Sequence, residues 1–107
     1  MSEPRFILHH ASLLVSNTQH ALSFYCDVLG LEQIERPNLG FPGAWLSLGF
    51  EQQLHLLELP SPDPTTGRPI HGGRDRHVAL TTPNLDVIKQ LLDDSAVRYT
   101  LSISGRR

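Results

Sequence analysis

Two stretches of this sequence repeat the same order of elements, and this repeat constrains the fold more than any other feature. In the first stretch, an apolar run from Phe6 to Val15 is followed by Asn17 and by an amphipathic segment that reaches Gly30. In the second, residues 77–84 align on residues 10–17 and match a histidine, a leucine and an asparagine. Each stretch predicts a strand, an asparagine N-cap and a helix. We therefore expect two similar modules.

The first half of the chain predicts one helix and four strands. The run from Phe6 to Val15 contains no glycine or proline and is interpreted as a strand buried on both faces. Apolar residues between positions 21 and 29 recur at helical spacing, and Gly30 stands where a left-handed C-cap residue belongs. Three further strands are predicted, at residues 31–36, 44–50 and 53–59.

The second half predicts a connection and then a partial copy of the first module. Residues 60–73 hold four of the eight prolines and three of the eight glycines, which is typical of an irregular connection. A strand at 77–84, a helix that begins near Leu85 and a strand from Val97 to Ile103 are expected after it. The predicted class is α+β in a single domain, residues 1–107, with module one at about 5–59, a connection at about 60–74 and a partial module two at about 75–107.

Composition excludes several classes of protein. The formal net charge is -2 and the basic residues are scattered, so neither a nucleic-acid surface nor an anionic membrane surface is expected. No apolar stretch approaches the ~20 residues that a membrane-spanning helix needs. The single Cys26 cannot form an intrachain disulfide, and the first residues lack the apolar run of a secretory signal. We expect a globular protein of the reducing cytoplasm.

Strand alternation selects three histidines as candidate metal ligands. His10 and His77 occupy equivalent positions in the two predicted modules, and each points away from its own helix. If the modules pair about a pseudo-twofold axis, these imidazoles meet inside one concave surface, as in a divalent-metal site. His55, predicted on the last strand of module one, is the third candidate donor. Glu58 alternates to the opposite face and is the poorer candidate. The plainer alternative is that these histidines are hydrogen-bonded core residues.

Other polar residues have plainer interpretations. His9 is predicted to face the helix side as a core or edge histidine, and His20 to be solvated in the first helical turn. His71 is interpreted as a loop residue of the connection. Arg74, Asp75 and Arg76 are expected to be solvated charges, although they could bind an anionic substrate.

The sequence offers few other routes to catalysis. Cys26 lies on a predicted helix without a partner histidine, and an inert thiol is expected. Trp45 and Phe50 are predicted to belong to the core rather than to stack on a ligand. Motifs for a serine nucleophile, a phosphate-cradling loop and a dinucleotide site are absent from the sequence. Metal-assisted chemistry is the class that remains.

Three segments carry a resemblance to a known family. They are Leu8 to Val15, Ala21 to Glu32 with its Phe-Tyr-x-x-Val-Leu-Gly-Leu phrase, and Arg76 to Leu80. In these segments the sequence resembles the vicinal oxygen chelate superfamily, which includes glyoxalase I, methylmalonyl-CoA epimerase, fosfomycin and bleomycin resistance proteins, and extradiol dioxygenases. The resemblance covers nearly the whole chain.

The resemblance implies a fold and a ligand set. Members pair two βαβββ modules into a half-open barrel around a cleft with one metal ion. By position, the ligands fall on His10, His55 and His77, whereas the family's fourth ligand, a glutamate in the last strand of module two, has no counterpart here. The second module is therefore expected to be incomplete at Arg107. A shortened chain is the first explanation; a partner chain that supplies the missing piece and a divergent member without metal are the others. The unpaired sheet edge favours a homodimer.

The resemblance also implies two kinds of function. The leading one is a lyase, isomerase or dioxygenase that depends on a divalent metal (Zn, Ni, Fe or Mn) and acts on a small oxygenated substrate through enolate-type or related chemistry. The sequence identifies no general base. The alternative is a metal-free protein of the same fold that binds and sequesters a small molecule; an inactive structural remnant is a third option.

Overall fold

The chain folds into a four-stranded mixed sheet with helices, so the predicted α+β class is confirmed. The structure is a computed structural model and describes residues 5–102. Its elements are β1 (His10–Leu14), α1 (Thr18–Leu22) continued by a π-helical segment (Ser23–Val28), β2 (Glu32–Ile34), β3 (Gly43–Gly49), β4 (Gln52–Leu57), a short 3-10 turn (Gly72–Arg74) and α2 (Leu85–Asp94).

The register of the sheet brings distant residues onto one face. The strand order is β1-β4-β3-β2, with β1 parallel to β4 and the other neighbours antiparallel. His10 is in register with Gln53, and His55 is in register with both Ser12 and Trp45. Because paired residues point to the same side of a sheet, these five side chains share one face, and no helix within residues 5–102 packs on it. We call this surface the histidine face.

The opposite face of the sheet forms the core of module one. The backbone N–H of His20 donates to the side chain of Asn17 at 2.9 Å, which caps α1 as predicted. Gly30, with a φ of 79°, ends the helical segment in the left-handed region that favours glycine. Four residues are almost fully buried under this helical segment: Ala44, Leu46, Leu54 and Leu56.

The first strand is shorter and more exposed than predicted. It begins at His10, and its residues alternate between exposed and half-buried. The prediction of a strand buried on both faces is therefore wrong. The apolar residues Phe6, Ile7 and Leu8 precede the strand and are exposed. The reason is topological: β1 lies at the edge of the sheet, and no described element covers its second face.

The second module is only partly formed in the described residues. The predicted helix is confirmed as α2, and the Asn84 side chain accepts from the backbone N–H of Val87 at 3.3 Å. The strands predicted at 77–84 and from Val97 are wrong, because the structure has no strand between residues 75 and 102. A helix satisfies its backbone groups locally, whereas a strand needs a neighbouring strand. Ile103, the predicted end of the last strand, lies outside the described residues.

In the described part of the chain, two ion pairs join the connection to the residues that follow it. Arg68 donates to both carboxylate oxygens of Asp75, at 3.0 and 2.9 Å, and Arg76 pairs with Asp63. Arg76 is predominantly exposed, as expected of a solvated charge, whereas Asp75 is half-buried in its ion pair with Arg68. Within residues 5–102, neither helix is long and apolar enough to cross a bilayer.

Candidate functional site

Three aromatic rings form a column on the histidine face. The Trp45 and His55 rings stack with centroids 4.2 Å apart and planes 6° apart, and His10 stacks on His55 at 4.1 Å and 16°. His55 is the middle ring and is only 8% exposed, whereas His10 is exposed. We call this set the ring column. Its three members come from β3, β4 and β1: Trp45 pairs directly with His55, and His10 lies two residues before Ser12, the partner of His55 on β1.

Hydrogen bonds fix two of these rings at their edges. The Nε2 of His55 lies 2.8 Å from Oε1 of Gln53, and the Nδ1 atoms of His9 and His10 lie 2.8 Å apart. Burial, and then the nearby His10, His9 and Arg36 charges, lower the pKa of His55 below its ordinary value. His55 is therefore a neutral imidazole near pH 7.

His77 lies beside a cleft that reaches the histidine face at Ser12. Its Nδ1 donates to the carbonyl oxygen of Asp75 at 2.8 Å. The cleft has a volume of about 330 Å³, and Ser12, Asp63, Arg68 and His77 contribute to its walls. Among the described residues the structure thus brings His10 and His55 into contact and places His77 on the wall of a neighbouring cleft.

The ring column does not fit a shared metal ion in this arrangement. An imidazole binds a metal along a nitrogen lone pair, in the plane of its ring, at about 2.0–2.1 Å. Because His10 and His55 lie face to face, their lone pairs run in nearly parallel planes, and one ion cannot lie in both planes. Within residues 5–102 there is no group of three or more His, Cys, Asp or Glu that could hold a metal ion. The three-histidine site remains a sequence prediction.

The secondary candidates have structural roles. Glu58 accepts from the backbone N–H of Thr18 at 2.7 Å, which places it on the helix side as predicted. His71 accepts from Gly73 N–H at 3.0 Å in the connection, and His20 is exposed. Burial and the charge of Asp27 raise the pKa of Cys26, which disfavours the reactive thiolate.

Sequence reasoning missed two members of the site. Trp45 was expected in the core, but it lies half-buried on the histidine face. Gln53 shares a face with His55 by simple alternation, and this spacing was the signal that could have marked it as a partner. The role of His9 also differs from expectation, since it is exposed and contacts His10.

Comparison with known proteins identifies the family. The model of the Glyoxalase/Bleomycin resistance protein/Dioxygenase superfamily matches residues 7–96, which is most of the chain. The chain belongs to this superfamily. The histidine face is therefore the helix-free face of a glyoxalase-superfamily sheet.

Individual relatives agree with this assignment. The chain is 30% identical over 97 residues to a protein of Arabidopsis thaliana named Glyoxylase I 4, and this match covers 90% of the chain and 55% of the relative. The chain thus spans about half the length of that relative.

Solved structures show the same fold. A putative glyoxalase family protein from Bacillus anthracis superposes with a TM-score of 0.69 at 21% identity, over 90% of this chain and 75% of that one. A superfamily member from Sphaerobacter thermophilus gives 0.64 at 26% identity, over 90% and 76%. Lactoylglutathione lyase from Agrobacterium tumefaciens gives 0.54 at 22% identity, over 87% and 71%. These solved chains extend beyond the matched part, in agreement with an incomplete second module.

Proposed function

We propose that this glyoxalase-superfamily chain binds a small, planar, oxygen-bearing molecule on the histidine face. The observation that carries the proposal is the ring column. It places the outer faces of the Trp45 and His10 rings near the polar groups of Ser12 and Gln53, on a face that no described helix covers. Flat rings favour planar ligands, and a few polar groups fix their orientation.

The single tryptophan of the chain makes this proposal testable. Trp45 stacks on His55, so its fluorescence reports on the ring column. We expect small phenols, aldehydes and ketones that bind to change Trp45 emission and to shift the NMR signals of the His10 and His55 rings. His10→Ala should weaken this response, and His20→Ala, which removes an exposed histidine of α1, should leave it unchanged. An equal fluorescence and NMR response in His10→Ala and His20→Ala would show that these molecules bind outside the ring column.

The second candidate function is that of a divalent-metal enzyme acting on a small oxygenated substrate. Its support is that His10 and His55 share one face, while His77 borders a cleft that reaches Ser12. It requires His55 or His10 to turn out of the ring column. Zinc, nickel, iron or manganese would then be held by the three imidazoles and would supply Lewis-acid stabilisation of an anionic substrate.

Metal titration separates the two candidates. If the metal hypothesis holds, calorimetry with Zn²⁺ or Ni²⁺ should show stoichiometric binding and a concurrent change in Trp45 emission, both reduced in His77→Ala. His71→Ala, which alters a histidine of the connection, is the matched control. Tight metal binding that His77→Ala does not weaken would contradict metal coordination by the three histidines.

We also propose that the protein is cytoplasmic and that it binds neither nucleic acid nor membranes. The single Cys26 suits a reducing compartment. A net charge of -2 with scattered basic residues gives no surface for nucleic acid or anionic membranes. Fractionation of cells that express the protein, with a cytoplasmic enzyme as marker, tests the compartment.

A further inference from the structure

The contact between Gln53 and His55 constrains the position of a proton. The two residues are two positions apart on β4, so their side chains emerge on the same face. Oε1 of Gln53 lies 2.8 Å from Nε2 of His55. An amide oxygen only accepts hydrogen bonds, so the hydrogen of this bond belongs to Nε2 of the imidazole.

The stacked neighbours cannot make this selection themselves. Trp45 and His10 cover the two faces of the His55 ring at 4.2 and 4.1 Å. Stacking contacts the faces of the ring, which are the same whether Nδ1 or Nε2 carries the hydrogen. The stack holds the plane of the ring, whereas the amide of Gln53 distinguishes one nitrogen from the other.

The second nitrogen of His55 stays available to a ligand. The structure gives Nδ1 no hydrogen-bond partner among the described residues, although His55 is only 8% exposed. Within residues 5–102, the fully buried side-chain N or O atom without a hydrogen-bond partner is Thr18 Oγ1, not His55 Nδ1. His55 Nδ1 is thus not completely enclosed.

We propose that Gln53 is a positioning residue that holds His55 with its hydrogen on Nε2 and its lone pair on Nδ1. The histidine face then presents a hydrogen-bond acceptor to its ligand. An acceptor of this kind favours molecules that carry a hydroxyl or N–H donor over those that offer only a carbonyl or ether oxygen. The statement about the ligand rests on the proposed function; the statement about the tautomer does not.

NMR of the free protein tests the tautomer. In long-range ¹H–¹⁵N spectra above the pH at which His55 protonates, the ring should show a protonated Nε2 and an unprotonated Nδ1. Gln53→Leu should weaken this preference, and Gln53→Glu, which keeps an acceptor oxygen, should retain it. Gln52→Leu makes the same change at the neighbouring position of β4, and it should leave the His55 pattern unchanged.

Two results would overturn the positioning role. One is a wild-type His55 with its hydrogen on Nδ1, which would mean that the amide of Gln53 presents its NH₂ group. The other is an unchanged His55 pattern in Gln53→Leu. Trp45 emission, recorded for each variant, verifies that the ring column persists, and Gln53→Met, which also removes the amide, supplies the test if Gln53→Leu does not fold.

A matched pair of small molecules tests the ligand class. Phenol and its methyl ether, anisole, share an aromatic ring and differ in the O–H donor. We expect phenol to shift the His55 Nδ1 resonance and anisole to shift it several-fold less. Equal shifts of the His55 Nδ1 resonance by phenol and anisole would overturn the proposal that a hydrogen-bond acceptor on His55 selects the ligand. If the tautomer is as proposed and neither compound shifts His55, the ligand statement and the proposed binding of planar molecules are both contradicted, and the role of Gln53 stands.

Discussion

At the scale of single residues, His55 owes its properties to its neighbours. Trp45 and His10 cover its faces, and Gln53 holds its edge. Burial and nearby positive charge make protonation of this ring unfavourable in the folded chain. The same ring in an unfolded chain titrates at its ordinary pKa of about 6.5.

This difference predicts a pH dependence of stability. The folded pKa of His55 is lower than the unfolded pKa, so the unfolded chain binds more protons in the interval between them. The free energy of unfolding should be greatest above about pH 6.5 and should fall as the pH is lowered toward the folded pKa. Urea titrations across this interval measure it. His55→Gln should show a weaker dependence than the wild type, and His20→Gln should behave like the wild type.

At the scale of elements, the two halves of the chain differ in how their helices are supported. The helical segment that begins with α1 packs on the buried residues of β3 and β4, whereas α2 buries none of its residues. Both helices carry an asparagine N-cap whose side chain accepts a backbone N–H. The same local signal therefore has different consequences for the global stability.

Removal of each cap should separate these roles. Asn17→Ala should lower the global free energy of unfolding by about 0.5–2 kcal/mol. Asn84→Ala should speed amide exchange in α2 and leave the urea midpoint of Trp45 emission almost unchanged, because α2 has no buried residues. Equal losses of global stability in the two variants would show that α2 is part of the cooperative core.

Truncation of the core should be costly. Leu46 and Leu54 are almost fully buried on adjacent strands. Either change to alanine should cost about 2–5 kcal/mol. Leu85→Ala, at a leucine of α2 that is 59% exposed, should cost far less. Thermal or urea unfolding of the three variants gives the comparison.

At the scale of the whole molecule, the second module is loosely attached to the first. The radius of gyration is 15.5 Å, against about 13 Å for a compact domain of 100 residues. β1 lies at an edge of the sheet, and the exposed residues Phe6, Ile7 and Leu8 precede it. An edge strand flanked by exposed apolar residues favours association.

We therefore predict a homodimer that forms through the β1 edge. Sedimentation at increasing concentration should show a dimer, and Ile7→Lys should shift the equilibrium toward monomer by placing a charge beside the edge. Phe50→Lys makes a comparable change at a turn residue that is 97% exposed between β3 and β4, and it should leave the equilibrium unchanged. A monomer at all concentrations would contradict the prediction.

The sequence by itself determined the local elements of module one and both helix caps. Asn17, Gly30 and the alternating residues of β3 and β4 act through neighbours in sequence, and their signals are readable without a fold. It also carried enough of the family pattern to predict the fold class. The choice of His10 and His55 as neighbours followed from alternation and from the resemblance.

The tertiary structure decided how those side chains meet. Only the pairing of β1 with β4 and of β3 with β4 stacks His10, His55 and Trp45, and only their orientation shows that the rings lie face to face. The predicted strands after residue 75 are not formed in the described chain, because apolar alternation is a local property and a strand exists only where a second strand satisfies its backbone.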